Sequence, residues 1–190
     1  MKLEFKSRPF WFNKLEISIK EKKQHLLFYE IIKAKENLLF TMNIRNAKLS
    51  DAEVIATQNI LLAKESEGIS LSFETVLTGV TTLLSDKRKG FYMLAEENNK
   101  IIGQMMITYE WSDWRNTNIW WIQSLYVNKQ WRAKGIFSKL FQYIQKEARK
   151  HQVQIIRLYV HEHNKVAQKV YKSIGMEKQP YVVFQSNNVF

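Results

Sequence analysis

Between Ile119 and Lys150 the chain runs through a pattern that few folds accommodate. Ile119 to Val127 is apolar at both alternating positions, so a strand there must be covered on both faces and lie inside a sheet rather than at its rim. A short polar turn and the basic stretch Arg132-Ala133-Lys134-Gly135 follow. After them Ile136, Phe137, Leu140, Phe141, Ile144 and Ala148 recur on one side of a helical period, which predicts an amphipathic helix packed on that sheet. A central strand, a tight glycine-containing loop and a helix form the core of an α/β domain.

The flanking sequence supplies the remaining elements. Met42 to Arg45 reads as a short strand. Ser50, with Glu53 three residues on, reads as the capping box of a helix over about 50–64, and Ser72 and Thr75 open a second over about 72–85. Phe91 to Ala95 and Ile101 to Glu110 form a hairpin around the polar residues 96–100, and residues 113–118 make another polar turn. Val153 to Val160 reads as a strand, Asn164 to Ser173 as a short helix closed by Gly175, and Tyr181 to Phe184 as a last strand.

A length of 190 residues suits one domain with an appendage. We expect the domain over 42–190 and an N-terminal extension of unassigned structure over 1–41. No run approaches the roughly 20 apolar residues that span a bilayer, so no membrane role is expected. Cysteine is absent, which removes disulfides, thiol nucleophiles and cysteine-ligated zinc together. The start, Met1-Lys2-Leu3-Glu4-Phe5-Lys6, is charged and carries no apolar signal core, so a cytoplasmic location is expected.

The formal net charge is +11, and Lys129, Arg132, Lys134, Lys139, Lys146, Arg149 and Lys150 concentrate it around the loop and helix, against Glu147 alone. Such a field attracts polyanions: nucleic acid, anionic lipid or a phosphorylated small molecule. The helix start favours phosphate, because its first N–H groups are unpaired and its dipole is positive there, and Gly135 lets backbone approach a pyrophosphate. No G-x-x-x-x-G-K-[ST] or G-x-G-x-x-G occurs, which removes the kinase, GTPase and Rossmann readings. Tyr109-Glu110-Trp111-Ser112-Asp113-Trp114 interleaves acids with aromatic faces, a combination that suits an ammonium group, whereas Trp120 and Trp121 read more simply as sheet packing. His161 and His163 share a strand face, but with no third ligand in view no metal is expected.

Taken together, Leu125-Tyr126-Val127, Arg132-x-x-Gly135-x-Phe137, Asn164-x-x-Ala167 and Tyr171-x-x-x-Gly175-Met176 resemble, in order and spacing, the two acetyl-CoA-binding motifs of the GNAT N-acetyltransferase superfamily. The resemblance runs from residue 42 to near the C-terminus. It implies an α/β fold of the α+β type, a mixed, largely antiparallel sheet flanked by helices, with acetyl-CoA wedged where two parallel strands splay after Val127. It further implies that Arg132, Ala133, Lys134, Gly135, Ile136, Phe137 and Ser138 hold the pyrophosphate and that Leu125, Tyr126 and Val127 pair with the pantetheine arm. Asn164 would contact that arm, the Val127 N–H would polarise the thioester carbonyl, and Tyr171 would protonate the departing thiolate.

Transfer in this scheme is direct and needs no enzyme nucleophile. The expected acceptor is an amine, more in keeping with a small molecule than a protein, bound near Glu110, Trp111, Asp113 and Trp114. Phe137 departs from the family's small residue, and Gln123 and Ser124 stand where a strand glutamate is common, so no base is assigned; Glu110, Asp113 or Glu162 through water are the candidates. The other readings are a protein N-acetyltransferase, an acyl-CoA sensor without turnover and a basic module for nucleic acid, the last lacking any recognisable nucleic-acid motif. A homodimer through Tyr181, Phe184 and Phe190 is a further expectation.

Overall fold

The computed structural model describes residues 42–186 and, before them, Leu26 alone, so the expectations for 1–41 and for Phe190 lie outside the described residues. The chain divides into two units, Met1–Met42 and Asn43–Phe190, and the elements below belong to the second. They are β1 (Asn43–Asn46), α1 (Ala52–Glu67), α2 (Phe73–Ser85), β2 (Phe91–Glu97), β3 (Lys100–Ser112), β4 (Thr117–Val127), α3 (Ile136–Lys150), β5 (Ile156–Leu158) and α4 (Lys165–Ser173). The strands form one five-stranded sheet in the order β1-β2-β3-β4-β5. Every pair is antiparallel except the last, where β4 and β5 run parallel. This is the mixed, largely antiparallel architecture expected.

Local chemistry explains most boundaries. Asn98 and Asn99 turn the β2–β3 hairpin at φ 47° and 59°, a left-handed conformation that asparagine tolerates. The Ser72 hydroxyl caps α2 by accepting from the Thr75 N–H. At α1 the expected cap gives way to a tertiary arrangement: a 3-10 turn over Leu49–Asp51 precedes the helix, and the Asp51 carboxylate, not Ser50, accepts from the Lys48 N–H at 2.7 Å. The same carboxylate receives the Arg45 guanidinium at 2.7 and 3.0 Å, and Arg45 also reaches Glu96 on β2. That bidentate pair ties β1, β2 and the start of α1 together, and it outweighs a local serine cap.

The two faces of the sheet can be assigned from neighbouring residues on β3. The Gln104 side chain donates to Asn59 of α1, while a Cβ on Gly103 would meet Ile136 of α3 at 3.4 Å. Successive strand residues point to opposite faces, so α1 covers one side and α3 the other. On the α1 side Ile55, Ala56, Val80, Tyr92 and Leu94 form a core cluster with α2. From α3, Ile136, Leu140 and Ile144 are fully buried. Trp120 is buried on the α3 side against Phe91 and His151, as sheet packing predicts.

Two strand expectations are corrected. β5 occupies only Ile156–Leu158 of the stretch 153–160, and Tyr181 to Phe184 form no strand; their side chains are 70–92% exposed. A β-rich run becomes a strand only against a neighbour, and propensity supplies none. The shortness of β5 has a consequence for function, because β4 runs on to Val127 after its parallel partner has ended at Leu158.

Candidate active site

β4 is the element around which the site is built. Gln123 pairs with Met106 and Tyr126 with Gln104, so Ser124 and Leu125 together face Met105, which makes a β-bulge. Ser124 carries it in a left-handed conformation, φ 46°. A partly buried chain of side chains holds it there: Gln104 donates to Asn59, Asn59 donates to the Tyr92 hydroxyl, and that hydroxyl is bonded to Ser124. Burial raises the Tyr92 pKa, so the phenol stays neutral and the network stays intact.

Past the bulge, the Asn128 N–H donates to Ile102 O, which puts Gly103 and Val127 in a non-hydrogen-bonded pair. The N–H and C=O of Val127 therefore turn away from β3, toward the side that β5 has vacated, whereas those of Tyr126 point at Gln104. The Val127 carbonyl is taken by the Arg132 Nε–H at 2.9 Å. Its N–H is the group that the splay leaves for a guest.

The loop after Val127 contains a 3-10 turn over Lys129–Trp131, then Ala133 at φ 60° and Gly135 at φ 74° before α3 begins at Ile136. Ala133 and Gly135 are both left-handed, a backbone turn of the kind that can bring successive N–H groups to one side, and the first N–H groups of α3, those of Ile136, Phe137 and Ser138, follow directly. A Cβ at Gly135 would meet nothing within 4 Å, so the space beside it is open.

The loop cations are less free than their sequence suggests. Arg132 pairs with Glu65 at the end of α1 at 2.6 Å, and Lys129 lies 3.6 Å from the same carboxylate. The Tyr126 hydroxyl also donates to Glu65, whose pKa is held down first of all by the Arg132 hydrogen bond. Lys134 Nζ sits 4.6 Å from the centre of the Trp131 ring. Arg132 thus braces the loop against β4.

α4 brings Tyr171 to the α3 side. Its ring meets Phe137 edge-on at 5.4 Å, so the bulky residue that departs from the motif packs toward α4. The Tyr171 hydroxyl has no hydrogen-bond partner among the described residues, and burial raises its pKa. It is a phenol kept protonated and unspent. Asn164 is the N-cap of α4, its Oδ1 accepting from the Ala167 N–H at 3.0 Å. Gly175, at φ 88°, closes the helix while Met176 N–H returns to Tyr171 O.

The structure gathers Val127, the 132–138 loop and Tyr171 around the splay, but not the aromatic-acidic segment. Trp111 pairs with Asn118, nine residues along β4 from Val127, or roughly 30 Å of strand. Trp111 and Trp114 are 61% and 89% exposed, and Asp113 caps the Trp114 N–H at the hairpin tip. Glu110 lies nearer and is engaged by Trp121 Nε1 and by Arg157. Glu162 is exposed beside His163. Nothing in the sequence signalled the part played by Glu65, which sits in an ordinary charged helix end, and Ser124 was marked there only as standing in the place of a base, since the bulge that Ser124 carries depends on register. Sequence reasoning also passed over Arg157, although a cation between Ile156 and Leu158 in an apolar strand was a visible signal.

No curated protein matches the chain. The model of the Acetyltransferase (GNAT) family matches residues 58–176. Among solved structures, a possible acetyltransferase from Clostridium difficile 630 is 42% identical, with 78% of this chain and 99% of that one covered at a TM-score of 0.74. A predicted acetyltransferase from Clostridium acetobutylicum, solved with acetyl-CoA, is 20% identical over 77% of this chain and 96% of that one, TM-score 0.65. AAC(6')-Iy, in complex with the bisubstrate analog CoA-S-monomethyl-acetylneamine, is 15% identical over 77% of this chain and 98% of that one, TM-score 0.63; at such identity these last two speak for the fold alone.

Proposed function

This chain belongs to the GNAT acetyltransferase family, and from that premise we propose that it transfers the acetyl group of acetyl-CoA directly to the amine of a small molecule. The observation that carries the reading is the open space beside the loop N–H groups at Gly135, set next to the Val127 N–H that β4 leaves unpaired among the described residues. The amides of 133–138 would take the pyrophosphate and the Val127 edge the pantetheine arm, with Asn164 at its flank. The amine nitrogen attacks the thioester carbon; as the C–N bond forms and the C–S bond breaks, the Val127 N–H stabilises the oxyanion and Tyr171 gives its proton to the thiolate. Glu110, Asp113 and Glu162 are each engaged or remote, so the amine loses its proton to solvent in this scheme rather than to a dedicated base. No metal enters the scheme.

Among the described residues no helix is long and apolar enough to cross a membrane. The reaction releases a free thiol, which persists in a reducing compartment, so the proposed location is the cytoplasm. The exposed Tyr181 and Phe184 support a homodimer as part of the same proposal, to be tested by sedimentation.

The deciding experiment is calorimetric titration of acetyl-CoA into the wild type and Gly135→Glu. One-to-one binding lost in the variant is expected, because the new carboxylate enters the proposed phosphate site. Absence of binding to folded wild type would sink the proposal, and the basic surface should then be tested against nucleic acid.

A further inference from the structure

We propose that the acceptor carries an oxyanion, a carboxylate or a phosphate, next to its amine, and that Arg157 is the residue that recognises it; the inference rests on the acetyltransferase reading above. The loop and Phe137, which meets Tyr171, lie on the α3 side of the sheet. The opposite side of the splay is therefore the approach left for a second substrate. Alternation from Gln104 puts Thr108 and Glu110 on that side, and the cross-strand pairs Thr108–Trp121 and Met106–Gln123 put Trp121 and Gln123 there too. Arg157 is the parallel-strand neighbour of Trp121, three to four residues before the bulge, roughly 10–13 Å along the strand.

The charges there are already sorted. One Glu110 oxygen accepts from Trp121 Nε1 and the other from Arg157 Nη1, so the negative charge that would draw an ammonium group is already paired with a cation. Arg157 spends one N–H on Glu110, and its guanidinium sits 5.7 Å from the centre of the Trp121 ring. Its side chain is 32% exposed, and a guanidinium has five N–H donors, so it keeps donors beyond the one given to Glu110, of the kind that carboxylates and phosphates accept from in pairs. Beyond it Tyr159, 61% exposed, stacks on Trp121 at 4.4 Å and offers a flat wall for the body of the acceptor. A polycation would meet Arg157 at the mouth and the field of a +11 chain before that, whereas a zwitterionic amine is repelled by neither.

The test measures thiol release from acetyl-CoA by the full chain with matched acceptors: phenylalanine against phenylalaninamide, 2-aminoethylphosphonate against ethanolamine, and spermidine and kanamycin as polycations. The amide's amine is the weaker base and so more often neutral, which biases the comparison against the proposal. Wild type is expected to prefer an anionic member over its partner by about 10- to 100-fold in kcat/KM, the scale of a hydrogen bond to a charged group. Which pair shows the preference separates carboxylate from phosphate recognition. Arg157→Gln should bring that ratio to near one and Arg157→Lys restore part of it, both with unchanged acetyl-CoA affinity. Preference for the uncharged partners or the polycations, a preference that survives Arg157→Gln, or failure of every anionic probe in a protein that binds acetyl-CoA would overturn the assignment. Failure to bind acetyl-CoA would instead overturn the acetyltransferase reading beneath it.

Discussion

Tyr171 is half-buried, and its hydroxyl has no partner among the described residues, the state that the proposed general acid requires. Desolvation raises its pKa, so it is protonated at neutral pH. Tyr171→Phe should lower kcat by about 10²- to 10⁴-fold, the usual contribution of a general acid, and leave acetyl-CoA affinity unchanged. In the wild type the alkaline fall of kcat should come above the ordinary tyrosine value of about 10, since an acid is lost as pH rises through its raised pKa. Equal turnover in both proteins would remove the phenol from the chemistry. Asp51 is the contrasting residue, fully committed to structure. The Arg45 guanidinium depresses its pKa, so the pair's contribution is complete above the unfolded value of about 3.9 and is lost as pH falls through the lower folded one. Urea midpoints measured downward from pH 7 should therefore drop below about pH 4, and Asp51→Asn should lower the neutral midpoint while flattening that acid limb.

At the scale of elements the β4 bulge decides what the sheet can do, because it brings the Val127 N–H to the vacated edge. Ser124 holds a conformation that costs an ordinary residue about 1 kcal/mol or more, and the Gln104–Asn59–Tyr92 chain maintains it. Tyr92→Phe removes the hydroxyl from the middle of that chain and should cost about 1–3 kcal/mol by chemical denaturation, with kcat reduced several-fold at temperatures where the variant is folded. Unchanged turnover would mean that the backbone ladder holds the bulge unaided. The loop, α3 and α4 were legible in the sequence because their signals are local: a glycine before an apolar period, and Asn164, Tyr171 and Gly175 at helical spacing. The bulge and the Glu65–Arg132 brace were not, since each depends on which residues of distant elements face one another. The tail 181–184 misled for the same reason, as its composition fits a strand that nothing adjoins. The aromatic pair Trp111 and Trp114 had the right chemistry for an ammonium, yet hairpin register carries it to the far end of the sheet, while Trp121, which read as packing, faces the splay.

Over the whole molecule the charge distribution sets how cosubstrate arrives. The net +11 is concentrated around the loop and α3, yet Arg132 and Lys129 are paired with Glu65 and Lys134 leans on Trp131, so little of this charge is placed for direct contact with phosphate. The field should then act mainly at long range, on the encounter rather than on the bound state. That division is measurable: kcat/KM for acetyl-CoA should fall as ionic strength rises from about 0.01 to 1 M, as the screening length shrinks from about 30 to 3 Å, while kcat holds. Calorimetric affinity should fall in step with kcat/KM through the association rate, the dissociation rate staying nearly constant in stopped-flow displacement. A dissociation rate that climbs steeply with salt would instead show lysines in contact with the phosphates, and Glu65 would then be a competitor that the cosubstrate displaces rather than a brace. The two outcomes predict opposite effects for Glu65→Gln: weaker acetyl-CoA binding if the carboxylate holds the loop in shape, and tighter binding if it holds the cations back.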